Sequence, residues 1–355
     1  MKKKLKDICN GFTKNIAQKE LDELNGDYEI YGASGLIKKI DYYVSEVPYI
    51  GIVKDGSGVG RVSSYPAKSS LIGTMQYIVP NNDIDLQYLM YALRSMNLGN
   101  LFKGAAIPHI YFKEYKEFNV NVPSLPDQQK IATHLDSIQS AIDNKKQQLR
   151  QLDELVKSKF VEMFGENPVE SGKWKVETLG GIGKISMCKR VLREQTTPEG
   201  DIPFYKIGTF GKQADAYISR ELFENFKSKY AYPKKGSILI SASGTIGRSV
   251  VFDGEPAYFQ DSNIVWIDND ESKVLNGFLL YWYGTSPWKV TQGGTISRLY
   301  NSNITEANVI IPPLEIQNEF ITFVQKIDTA KSIIKTQLAD LQELLDSKMD
   351  EYFGE

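Results

Sequence analysis

The sequence predicts an α+β protein of duplicated plan: two β-rich globular domains and two long α-helices that run antiparallel as a coiled coil, related by a pseudo-twofold internal repeat. Three observations predict it. Pro123 to Glu166 aligns without a gap to Pro312 to Glu355 at an offset of 189 residues, with 18 of 44 positions identical. In both segments the apolar residues advance by alternating threes and fours, the period of a coiled-coil seam. Ahead of each come short apolar runs punctuated by glycine, YIGIVKDGSGVGRVSSY in one half and SILISASGTIGRSVVFD in the other, which read as strands and hairpins. The parts in order are a first globular domain (1–122), a central helical segment (123–166), a second globular domain (167–311) and a C-terminal helical segment (312–355).

Each globular part carries enough apolar residues to bury a core, since 41% of the 355 residues are hydrophobic and 11% aromatic. Cys9 and Cys188 stand in different halves without metal-type spacing, the pattern of structural thiols in a reducing compartment. No apolar run reaches membrane-spanning length, and MKKKLKDICNGF lacks a signal-peptide core, so a cytoplasmic location is expected. The net charge of −2 hides an asymmetry. The two helical segments carry 10 Lys and Arg against 16 Asp and Glu, leaving the globular remainder at +4. So small a surplus fits nucleic acid or an ordinary solvated surface.

The central segment places Ile131, Leu135, Ile138, Ile142, Leu149, Leu152, Val156 and Met163 on one seam, interrupted by Lys145 and Lys159. Its copy places Phe320, Val324, Ile327, Ile334, Leu338, Leu341, Leu345 and Tyr352 there, interrupted by Lys331. Pro126 suits a first turn, Asp127 puts negative charge at the positive end of the helix dipole, and Gly165 and Gly354 suit the ends. Each helix spans roughly 38 residues, or nearly 60 Å at about 1.5 Å per residue. An antiparallel pair of this length makes a spacer; the alternative is a helical hairpin supporting one core. Leu155, Phe160, Phe164, Leu344, Met349 and Phe353 lie off the seam, free to dock a partner subunit or to cap the globules.

The globular halves follow one plan. After the hairpin come LQYLMYALRSM and NGFLLYWYGTS as short helices, a glycine-bearing closing loop (KGAAIPHIYF, QGGTISRLYN) and a short extended run (FNVNVP, ANVIIP). Arg61 and Arg248 follow the hairpin turns, where an arginine can reach phosphate or the O6/N7 edge of guanine. Lys54, Ser57, Ser63 and Lys68 surround the first, and Ser241, Ser243 and Thr245 the second, hydroxyls and cations suited to phosphate. His109 and Arg298 fall at matching places in the closing loops, with Lys103 near the first. An exposed basic residue in a turn, and a structural histidine, are the competing readings of these positions.

Catalytic constellations are missing. Gly56-Ser57-Gly58-Val59-Gly60 lacks the spacing of a dinucleotide loop, Gly183-Lys184 lacks the first glycine of a phosphate loop, and Asn167-Pro168-Val169-Glu170 is not an amino-methyltransferase signature. His109 and His134 are the only histidines, and neither metal nor triad chemistry has a candidate set.

GDYEIYGASGLIKKIDYY with YIGIVKDGSGVGR resembles one version of the target recognition domain found in specificity subunits of type I restriction-modification systems. GDIPFYKIGTF with KKGSILISASGTIGRSVVFDG resembles another. VPSLPDQQKIATHLDSI and IPPLEIQNEFITFVQKI, each leading into a long helix, are similar to that family's helical spacers; the second departs where Glu315 and Ile316 replace Pro126 and Asp127. The resemblance covers nearly the whole chain. It implies a subunit without catalysis or cofactor, whose recognition domains each read one half of a bipartite double-stranded DNA site. It further implies that two methyltransferase subunits dock along the helices, bringing S-adenosylmethionine, and that restriction subunits, where the system has two, bring ATP and Mg. A scaffold that holds two protein ligands and a self-contained nucleic-acid enzyme are the alternatives from other classes.

Overall fold

The strand Tyr49–Val53 is buried at every position because its sheet is covered on both faces. Side chains alternate along a strand. Ile50 and Ile52 therefore enter one core, with Ile78, Leu89 and Leu93, while Tyr49 and Val53 enter another with Leu71, Met75 and Tyr77. A computed structural model describes residues 1–102, 108–244, 246–285 and 298–354. The chain forms two compact units, residues 1–149 with 333–355 and residues 150–332, and each long helix contributes to both.

In the first unit a four-stranded sheet has the order Cys9–Phe12, Met75–Pro80, Tyr49–Val53, Val62–Tyr65, all antiparallel. A second sheet places Tyr28–Gly32 between Gly35–Ile40, antiparallel, and Ser70–Leu71, parallel. The helix Leu86–Ser95 covers the first sheet and buries Tyr88 through Leu93. Its start is capped by the Asp85 carboxylate, which accepts the Tyr88 N–H at 2.9 Å. Tyr91 donates its hydroxyl to Asp136 at 2.7 Å, tying the short helix to the long one.

The second unit repeats this topology. Its four-stranded sheet runs Gly183–Ser186, Ile264–Asn269, Ile238–Ser241, Ser249–Val251, and its second sheet places Ile202–Tyr205 between Tyr217–Ile218, antiparallel, and Tyr258–Phe259, parallel. The alternation recurs: Ile238, Ile240, Val265 and Ile267 face a core with Phe278 and Phe320, while Leu239, Ile264 and Trp266 face one with Phe204 and Tyr258. Helix Asn276–Thr285 matches Leu86–Ser95. A ten-residue helix Arg220–Lys229, capped by the Ser219 hydroxyl accepting the Leu222 N–H, has no counterpart among the described residues of the first half.

The long helices are Leu125–Phe164 and Leu314–Phe353, 40 residues each, slightly longer than the pattern predicted. Pro126 and Asp127 lie in the first turn of the central helix, where Ser124 Oγ accepts the Asp127 N–H and donates to its carboxylate at 2.6 Å. Within the second unit the two helices run antiparallel, since Asp153 meets Lys331 at 2.6 Å while Phe160 and Phe164 meet Phe320. In the first unit the start of one meets the end of the other, His134 Nδ1 and the Tyr352 hydroxyl sharing a hydrogen bond of 2.9 Å. Lys331, an interruption of the seam by sequence, thus reaches across to a carboxylate on the facing helix. Phe160 and Phe164, which the spacing set off the seam, are core residues of the second unit rather than surface. Met349 and Phe353 pack on the core of the first unit, whereas Leu155 and Leu344 remain exposed.

Candidate nucleic-acid interface

The turn between Tyr49–Val53 and Val62–Tyr65 is built by main-chain bonds from Gly60 N–H to Val53 O (2.8 Å), Val53 N–H to Arg61 O (3.0 Å) and Val59 N–H to Gly56 O (3.1 Å). Two glycines shape it. Gly60 has φ +84°, and a Cβ there would lie 2.1 Å from Gly99 N, so the turn rests directly on the loop that follows the short helix. A Cβ on Gly58 would meet the Arg61 guanidinium at 2.2 Å, so glycine lets that side chain lie across the turn. Arg61 and Ser57 are exposed.

The closing segment pairs with this turn. Gly56 N–H donates to Pro108 O at 3.0 Å, Ile110 N–H donates to Lys54 O at 2.9 Å, and Asp55 and His109 form an antiparallel bridge between them. Lys54, Ser57, Arg61 and His109 are thereby brought onto one pair of joined loops. Lys54 itself is buried, ion-paired to Asp55 and 5.6 Å from the centre of the Tyr111 ring, so its charge organises the loops instead of standing in solvent. Ser63 hydrogen-bonds Tyr65, whose hydroxyl burial pushes up against that bond's opposing effect. Lys68 sits apart, exposed at φ +53° in the next turn, where its N–H donates to Ser45 O at 2.8 Å. Arg61 and Ser63 line a groove with Arg94, a cation that the sequence pattern had absorbed into the short helix. Arg94 Nε donates to Val62 O at 3.1 Å, joining helix to hairpin.

The second unit makes the same joint with other side chains. Leu299 N–H donates to Ala242 O at 2.8 Å, and Ser243 and Arg298 form the bridge that Asp55 and His109 form in the first. Ser241 N–H donates to Arg248 O at 2.9 Å, and Ser241 Oγ accepts the Arg248 N–H at 3.0 Å. Ser243 Oγ donates to Asn263 at 2.9 Å. Both arginines are folded onto the protein: Arg248 Nη1 donates to Phe210 O at 2.9 Å and Arg298 Nη2 to Ser262 O at 3.0 Å. Lys103, Thr245 and the glycines of both closing loops lie outside the described residues.

Residues 1–154 and 171–343 match the family model described as type I restriction modification DNA specificity domain. The chain belongs to that family. A Haemophilus influenzae protein provisionally named a type I restriction enzyme specificity subunit is 39% identical over 318 residues, covering 88% of this chain and 83% of the relative. The MjaIX specificity subunit of Methanocaldococcus jannaschii is 26% identical over 78% of this chain and 71% of its own length. Among solved structures, a type I restriction-modification S subunit from M. genitalium superposes with a TM-score of 0.63 at 17% identity, covering 100% of this chain and 96% of that one. A chain from a structure of type I system assembly and conformational transition superposes at 0.57 and 14% identity, covering 99% and 97%. The chain shares the fold of the M. genitalium S subunit over its whole length. Among the described residues no His, Cys, Asp and Glu group could hold a metal ion, and no helix is long and apolar enough to cross a membrane.

Proposed function

We propose that this type I specificity subunit reads a two-part DNA site, each globular domain taking one half through its hairpin and closing segment. The observation that carries the reading is the repeated joint, Asp55 with His109 and Ser243 with Arg298, one backbone geometry holding different side chains in two domains of one topology. A shared scaffold with unlike contact groups is what two different half-sites require. Ser241 is buried with its hydroxyl held by the hairpin backbone, so Ser57, Lys68 and Ser243 supply the phosphate contacts that set register, while Arg61, His109 and Arg298 are the groups nearest to a base-reading role. Lys103 and Thr245 are further candidates for contact with DNA.

The long helices set the spacing between half-sites and dock two methyltransferase subunits, with exposed Leu155 and Leu344 among the docking residues. The chain performs no catalysis and holds no cofactor. S-adenosylmethionine sits on the methyltransferase partners, and ATP and Mg on two restriction subunits where the system cuts. Because a base is methylated only after leaving the stack, the recognition domains hold the duplex while the partner extrudes the target adenine.

The test is binding by the complex co-expressed with its genomic partner subunits. At moderate salt it is expected to prefer one spaced motif over scrambled duplex by about a thousandfold or more. Equal binding to every duplex, or turnover by the chain alone, overturns the reading.

A further inference from the structure

Gln128 and Gln317 are the fourth residues of the two long helices, and both are buried, at 1% and 0% exposure, where glutamine on a helix is usually solvated. Each makes the same three hydrogen bonds. Gln128 Oε1 accepts the Asp85 N–H at 2.9 Å, and Nε2 donates to Asp83 O at 3.2 Å and to Pro123 O at 3.1 Å. Gln317 Oε1 accepts the Leu275 N–H at 2.8 Å, and Nε2 donates to Lys273 O at 2.9 Å and to Pro312 O at 2.8 Å. Both Nε2 protons and the carbonyl oxygen are used, so a primary amide of this length is the one side chain that satisfies all three groups.

The bonds join three pieces of chain at one point. Asp85 and Leu275 stand immediately before the short helices Leu86–Ser95 and Asn276–Thr285, and Pro123 and Pro312 lead into the long ones. Every partner atom is main chain. The geometry therefore does not depend on the side chains of the domain being held, and these differ: Asp83 and Asp85 in one copy, Lys273 and Leu275 in the other. In the first unit the linkage continues outward. The short helix holds the hairpin through Arg94 and Val62 O, and Gly60 rests on Gly99 in the turn that follows that helix. Helix, amide clasp, short helix and hairpin thus form one rigid series.

We infer that Gln128 and Gln317 are positioning residues for DNA reading: each holds its recognition hairpin at one register on its long helix, and together they decide how strictly the spacing between half-sites is kept. This rests on the reading above, in which the domains take the half-sites and the helices the spacing. Glutamate at either place keeps the shape and the acceptor but loses both donors and sets a carboxylate against two carbonyls. A loosened mount leaves the hairpin's own contacts intact, so base preference and spacing preference separate.

The test compares Gln128→Glu, Gln317→Glu and the unsubstituted chain, each assembled with the partner subunits, for methylation of duplexes whose spacer matches the motif or is one base pair longer or shorter. A seam variant of matched melting temperature, such as Ile138→Val, is the control. In each glutamate variant the bases required in both halves are unchanged, and discrimination against the wrong spacer falls by about tenfold, because misplacement and not lost contact is the defect. The control retains its discrimination. Unchanged discrimination in both glutamate variants, an equal fall in the control, or failure of both to assemble while the control assembles makes the glutamines merely structural and overturns the inference. If the unsubstituted complex has no two-part motif at all, the underlying reading fails instead.

Discussion

His109 stands opposite Asp55 in an antiparallel bridge, so the closing segment and the hairpin that carries Arg61 move as one piece. Arg61 is exposed on that piece, and its side chain lies over Gly58 with no side-chain hydrogen bond among the described residues, while its backbone bonds in the turn survive substitution. Arg61→Ala is therefore expected to weaken binding at one half-site only, by about 1–3 kcal/mol for a bidentate guanine contact, with little change in melting temperature. Titration against duplexes altered in one half at a time, alongside a thermal melt, checks it.

Arg298 behaves differently because its guanidinium bonds Ser262 O, 36 residues away, at a residue held at φ +54°. Arg298→Ala is expected to lower stability by about 1.5–3 kcal/mol, the range for a hydrogen bond to a charged group, and to impair the other half-site as well. Denaturant unfolding compared with half-site titration separates this double effect from the single effect at Arg61.

Lys331 reaches Asp153 on the facing helix at 2.6 Å with its own side chain mostly covered. Lys331→Glu sets like charges together beside Asp153 and Asp328 and is expected to destabilise by about 1 kcal/mol; adding Asp153→Lys recovers most of the loss. A double-mutant cycle by chemical denaturation measures the recovery, and additive losses contradict the pairing.

Burial pushes the thiols of Cys9 and Cys188 up to about 12. At pH 8 both are expected to resist thiol reagents until the protein unfolds. An acid with a raised folded value favours the folded state below its ordinary value of 9.0, and that contribution is lost as pH climbs from 9.0 toward about 12. Labelling kinetics with and without denaturant provide the check.

The repeat and its periods made the large features legible in the sequence: two long helices, a hairpin and short helix in each half, and His109 and Arg298 at matching positions in the closing loops; the bridges from those loops to Asp55 and Ser243 were not. The parallel pairings escaped notice because Ser70–Leu71 and Tyr258–Phe259 are two-residue strands, too short to show a pattern. Gln128 and Gln317 are identical in the repeat, yet identity does not say that a helical glutamine is buried. Arg248 of the second hairpin and Arg298 of its closing segment were legible by type and position only. Their bonds to Phe210 and Ser262 join residues far apart in sequence, and no local spacing encodes them.

Mapping methylated bases genome-wide in a host with and without this chain, its partner subunits present in both, tests the central claim most directly. The account predicts methylation at one interrupted two-part motif only when the chain is present, and a shorter interruption when one heptad is deleted from both long helices. The same methylated positions with and without the chain contradict it.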